Sequence, residues 1–150
     1  MSEKIPQDNQ NEVIEKGEWL CFKISDETYA HDALLVDEVL RYSEPTPVPG
    51  SPHGILGLLN IRGSVVSVFS GRALIGLTDE PPTDESRIVI FKTENESIGV
   101  VVDSVVEIAY FSKNQVEGAV AQHQDRAFIK GTIHHQKQLL IVVDFSNIDK

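Results

Sequence analysis

The chain has 150 residues and carries 13 Lys plus Arg against 23 Asp plus Glu, a formal net charge of −10. That charge repels phosphate backbones, so general nucleic-acid binding is excluded. Hydrophobic residues make up 41% of the chain, enough for a real core, and no apolar run reaches the length of a membrane helix, so no direct membrane insertion is expected.

Residues 1–17 are polar and read as a flexible tail without the apolar core of a secretory signal. Order is expected from Glu18, with 18–150 as the folded domain. Trp19 to Ile24 is a predicted strand with Leu20, Phe22 and Ile24 on one face. Cys21 is the only cysteine, which excludes an intramolecular disulfide and a two-cysteine zinc site; it reads as a small buried hydrophobe in a reducing cytoplasm. Ser25 to Thr28 is turn chemistry, and Tyr29 to Asp32 returns as the second strand of a hairpin. Ala33 to Arg41 fits either a short helix or extended chain, with Val39 to Tyr42 favouring a strand end. Pro45, Pro47, Pro49, Gly50 and Pro52 then predict an exposed, rigid loop.

Ile55 to Ile61 and Val65 to Phe69 form a second predicted hairpin around Arg62-Gly63-Ser64, where Gly63 supplies a positive φ. Gly71 to Leu77 fits one helical turn. The acidic, proline-bearing stretch Thr78 to Glu85 is the best internal boundary. Arg87 to Phe91 and Ile98 to Val102 are strands, and Val105 to Phe111 extends their sheet beyond Asp103. Residues 112–126 read as a long loop. Ala127 to His135 and Leu139 to Val143 form a closing hairpin, and Asp144 caps a short terminal helix. Many short strands separated by turn signals, without long amphipathic helices, indicate an all-β sandwich or small barrels.

Little in this sequence suggests catalysis. The five histidines invite a metal site, but adjacent His134 and His135 point to opposite faces of a strand, and His31, His53 and His123 lie in unrelated segments; all read as surface or half-buried imidazoles. Asp103 fits a carboxylate base or, more ordinarily, a strand-ending aspartate that bonds backbone amides. There is no Gly-x-Ser-x-Gly, no P-loop, no dinucleotide fingerprint and no His-Glu-x-x-His. Glu38 and Arg62 stand out as charges among apolar neighbours. Each fits a solvent-facing charge, or the two fit an ion pair beside an exposed apolar groove.

Leu20-Cys-Phe22, Tyr29-Ala-His-Asp32, Val36-Asp-Glu-Val39, Pro47-Val-Pro49, Gly57-Leu-Leu-Asn-Ile-Arg-Gly63, Val65-Val-Ser-Val68 and Gly99-Val-Val-Val-Asp103 with Val105 occur in an order that resembles the CheW family, the coupling proteins of bacterial chemotaxis. The likeness spans about residues 18 to 148. It implies two small five-stranded SH3/OB-like β-barrel subdomains packed on a shared hydrophobic core, with no enzymatic activity, cofactor or metal. The implied partners are the regulatory domain of the histidine kinase CheA and the cytoplasmic tip of methyl-accepting chemotaxis receptors. The receptor side is a groove between the barrels, lined by Leu20, Ala33, Val36, Glu38, Val39, Arg62 and Val105. The other readings are an adaptor of a different receptor-type array, serving pili or development, and a small-ligand or enzymatic barrel using Asp103 and His53. Many members carry a proline at the position of Ser67 and Asp-Leu-Arg where this chain has Ser70-Gly-Arg72, so Gly71 is expected to loosen that connection. No receiver domain follows, so the single-domain family member is expected over the two-domain CheV relative.

Overall fold

The structure is a computed structural model and describes residues 16–94, 96–118, 128–146 and 148. Most of the predicted tail, much of the 112–126 loop, His123 and part of the predicted terminal helix lie outside these residues.

The chain forms eleven strands among the described residues. β1 (Gly17–Ile24) and β2 (Glu27–Asp32) are followed by a 3-10 turn (Ala33–Leu35) and β3 (Val36–Arg41). β4 (Ile55–Ile61), β5 (Ser64–Ser70), the single helical turn α1 (Gly71–Leu74), β6 (Arg87–Lys92) and β7 (Ser97–Val102) come next. β8 (Ser104–Phe111), β9 (Glu117–Gly118), β10 (Ile129–His135) and β11 (Gln138–Val143) complete the fold. Ala33 to Arg41 thus resolves into both alternatives: one 3-10 turn capped by the Asp32 carboxylate, then a strand. Asp144 starts no α-helix among the described residues; its carboxylate accepts from the amide and hydroxyl of Ser146 in a tight turn.

Two sheets result, one of six strands in the order β8-β1-β2-β11-β10-β9 and one of five in the order β3-β6-β7-β5-β4. The five-stranded sheet is a contiguous insertion, residues 36–102, between β2 and β8 of the other. The acidic stretch Thr78 to Glu85 is therefore no boundary: it joins α1 to β6 within one sheet. The chain changes sheets at the 3-10 turn and at Asp103, so β8 does not extend the sheet of β7.

Both sheets curl. In the five-stranded sheet the edges are β3 and β4, and the chain leaving β3 returns to β4. There Thr46 and Leu58 exchange two backbone hydrogen bonds of 2.9 Å, so the proline-rich segment carries one closing bridge. In the six-stranded sheet only residues 112–116 separate the edge strands β8 and β9, which draws those edges together.

Three apolar clusters fill this architecture. Trp19, Cys21, Ala30, Phe111 and Leu140 pack on one face of the six-stranded sheet. Val66, Ile88 and Ile90 pack inside the five-stranded sheet, with Leu40, Leu59 and Ile61 against them. The third cluster draws Leu20, Phe22 and Ile24 from the first sheet and Val89, Phe91, Ile98 and Val100 from the second. β1 is buried on both faces for this reason: odd residues serve its own sheet, even residues the shared core. Each fully buried large apolar side chain contributes roughly 1.5–3 kcal/mol.

Candidate functional site

The residues expected at the groove fall on β1, the 3-10 turn, β3, the β4–β5 turn and β8, and of them Leu20, Val36 and Val105 lie in or against the shared core. β3 pairs with β6, with Val36 opposite Phe91, Val39 opposite Val89 and Glu38 opposite Ile90. A bulge between Val36 and Glu38 places Val36 and Val39, three residues apart, on the face of the shared core. Val36 is half-buried against that core and Val39 is 39% exposed. Glu38 falls on the opposite face with Leu40, beside the interior of the five-stranded sheet. On β8, Val105 pairs with Phe22 and packs against the shared core. Leu20 lies deeper, 6% exposed, and Ala33 is half-exposed in the 3-10 turn, which rests against β1.

Arg62 sits in the turn between β4 and β5, where the predicted hairpin had it. The β4–β5 hairpin closes with two residues, Arg62 at φ 49° and Gly63 at φ 88°, the pair of positive values a type I′ turn requires. Asn60 supports it by accepting from the Gly63 amide through its side-chain carbonyl, at 3.0 Å. From this turn the Arg62 guanidinium donates to the Glu38 carboxylate. The pair spans the two edges of the five-stranded sheet at its rim. The arginine side chain is 71% exposed and the glutamate 24%. The Glu38 hydrogen bond and charge raise the Arg62 pKa, so the guanidinium stays charged. An ion pair this exposed adds little to stability and leaves most donors open to a partner.

Two exposed residues of β8 lie beyond the expected ones. Ile108 pairs with Leu20 and Tyr110 with Glu18, on the same face, and they are 42% and 54% exposed. The signal was the alternation of Ile108 and Tyr110 with buried Ala109 and Phe111. The bulge between Cys21 and Phe22 on the β1–β8 ladder hid which face those residues share with Leu20.

Asp103 is a structural carboxylate. One oxygen accepts the Ser25 amide at 2.7 Å, and both take the Arg72 guanidinium, at 3.2 and 2.7 Å. The Asp103 amide donates to the Lys23 carbonyl at 2.9 Å. A carboxylate so committed does not serve as a base, and exposed His53 is not among the residues lining the cavity of about 250 Å³ beside it. Arg72 was missed because no spacing rule links positions 31 residues apart.

Gly71 is buried and is not a loosening element. A Cβ there would lie 2.4 Å from the Val101 carbonyl and 2.9 Å from Ile24. Ser70 caps α1 by accepting from the Ala73 amide, and its hydroxyl donates to Asp79. His31 is fully buried rather than half-buried; His134 is exposed and His135 half-buried, as adjacent strand residues must differ. Among the described residues no three His, Cys, Asp or Glu side chains cluster to hold a metal, and no helix is long and apolar enough to cross a membrane.

Two sheets, one inserted in the chain of the other and joined to it by a common apolar core, define an all-β domain. The chain belongs to the CheW-like domain family, whose model matches residues 18–149. It is similar to the chemotaxis protein CheW of Bacillus subtilis, 28% identical over 134 residues, covering 87% of this chain and 86% of that protein. It is also similar to CheW of Thermotoga maritima, 26% identical over 137 residues, covering 91% and 90%. The crystal structure of the scaffolding protein TtCheW from Thermoanaerobacter tengcongensis superposes with a TM-score of 0.81 at 25% identity, covering 87% of this chain and 92% of that one.

Proposed function

We propose that this chain is a non-enzymatic chemotaxis adaptor that couples the cytoplasmic tip of methyl-accepting receptors to the regulatory domain of the histidine kinase CheA, in the cytoplasm at membrane-associated receptor arrays. Its relatives named chemotaxis protein and scaffolding protein support this reading. The observation that carries it is the group of apolar residues Leu20, Val36 and Val105 at the shared core, with exposed Val39 on β3, Ala33 in the 3-10 turn, and the exposed Glu38–Arg62 pair between β3 and the β4–β5 turn. An amphipathic helix docks on an apolar groove, and a well-placed arginine at the rim fixes its orientation.

The test is binding of the purified chain to a helical-hairpin receptor-tip fragment and, separately, to the kinase regulatory domain. Arg62→Ala is expected to weaken the receptor fragment about tenfold, the equivalent of about 1.4 kcal/mol. Kinase binding and the melting temperature stay near the wild-type values. A chain that binds neither partner rules the adaptor reading out. A large loss of melting temperature in Arg62→Ala makes the arginine structural.

A further inference from the structure

The buried imidazole of His31 has two hydrogen-bond partners and needs a specific protonation state to keep both. Its Nδ1 lies 3.1 Å from the Asp32 carbonyl, which can only accept, so Nδ1 carries the proton. Its Nε2 lies 3.0 Å from the Phe145 amide, which can only donate, so Nε2 offers its lone pair. The ring sits 4.2 Å from the Phe91 ring and 5.9 Å from that of Phe145. Phe145 is fully buried in the shared core, also against Phe22 and Phe128. The bond to His31 therefore holds the chain after β11 against both sheets.

A second acceptor, which already takes the Ser146 amide and hydroxyl, lies nearby. Asp144 Oδ1 is 3.8 Å from Nε2, and the aspartate side chain is 32% exposed. Asp144 lines a cavity of about 400 Å³ with Asp32, Lys113, Lys130 and Trp19, so solvent protons have access to it. The charges that act on the ring are thus Asp144 after β11 and Asp32 on the next position of its own strand, while Lys130 of β10 acts on Asp144 and Lys113, in a 3-10 turn at Lys113–Gln115, lines the same cavity.

We propose that His31 is a pH-sensitive latch on the segment that follows β11. A proton from solvent adds to the Nε2 lone pair. The new N–H then faces the Phe145 N–H, donor against donor, and that bond breaks. The Nε2–H turns to the Asp144 carboxylate, and Phe145 loses its backbone anchor. Burial lowers the His31 pKa, with the Asp32 carbonyl and the Asp144 and Asp32 charges acting against it, so the switch operates below the ordinary histidine value of about 6.5. The latch thereby links acidity to packing between the two sheets.

The test is amide hydrogen exchange of the full chain by NMR from pH 7.5 downward, read as protection factors, with imidazole nitrogen shifts reporting His31. At pH 7.5 the shifts should show a neutral ring protonated on Nδ1. As the pH falls from about 6.5 toward the lowered folded-state pKa of His31, protection at the Phe145 amide should fall by up to about tenfold per pH unit and then level off, while the Val100 amide keeps its own. His31→Gln, whose side-chain oxygen accepts without titrating, should hold Phe145 protection constant over the same range. Phe145 protection that stays flat in the wild type, falls only together with Val100, or falls equally in His31→Gln overturns the proposal.

Discussion

Cys21 shows how one position is governed by both faces of its strand. Its side chain is wholly buried in the interior of the six-stranded sheet, and Glu107 stands opposite it on β8. Burial, and after it the Glu107 charge, push the thiol up to about 11. At pH 8 about one thiol in a thousand is ionised, so a disulfide reagent is expected to label Cys21 only through opening of the fold. The labelling rate should rise with denaturant in step with unfolding; fast labelling in native buffer would place the thiol at the surface. His31 and Asp144 set the response to acid. His31 has a lowered pKa in the fold, so its contribution is present above about pH 6.5 and is lost as the unfolded chain takes up a proton that the native ring resists. Burial raises the Asp144 pKa, but the hydroxyl and amide of Ser146 outweigh it and hold the carboxyl below its ordinary value. That contribution is lost only at lower pH, as the carboxylate protonates. Thermal melts from pH 7.5 to 5.5 should therefore show falling stability, and His31→Gln should flatten the slope.

At the scale of elements, the two places where the chain changes sheets carry most of the information. At the second, Asp103 ties three elements together: the β1–β2 turn through Ser25, α1 through Arg72, and β1 itself through Lys23. Asp103→Ala leaves the Ser25 amide and the Arg72 guanidinium without this acceptor, whereas Arg72→Ala removes only one partner. The first substitution is expected to lower the melting temperature more than the second. Equal losses would mean that the Ser25 bond contributes nothing. Gly71 marks the close approach of α1 to β7. Gly71→Ala drives a methyl into the Val101 carbonyl and is expected to cost about 1–3 kcal/mol, measured by denaturant unfolding. The β4–β5 hairpin was legible as a hairpin because Gly63 announced it. That Arg62 shares the left-handed turn was not, since arginine has no such preference. Glu38 and Arg62 were each legible as unusual charges; their meeting depends on β3 and β4 being the two edges of one curled sheet.

For the whole molecule, the nested topology makes each sheet depend on the other. β1, β2 and β8–β11 form one sheet from segments on either side of residues 36–102, and Leu20, Phe22 and Ile24 find their partners on β6 and β7. Exposing one sheet strips the other of its half of the shared core. Equilibrium unfolding is expected to be a single transition. Fluorescence of Trp19, the only tryptophan and a residue of the six-stranded sheet, should report the same midpoint as amide exchange in β6 and β7. Separate midpoints would show the sheets to be independent units.

By itself the sequence determined the all-β class, nearly every strand and hairpin, and the family resemblance. Those properties are written locally, in period-two alternation, turn residues and a set of motifs in order. Only the tertiary structure decided which strands share a sheet, that the chain crosses over at Asp103 and not in the acidic stretch, that Arg72 and Asp103 pair, and that His31 is buried beneath Phe145. Each of those facts is a contact between residues distant in the chain. Such contacts are selected by burial of both faces of β1 and by curling of the sheets, and no local pattern encodes either.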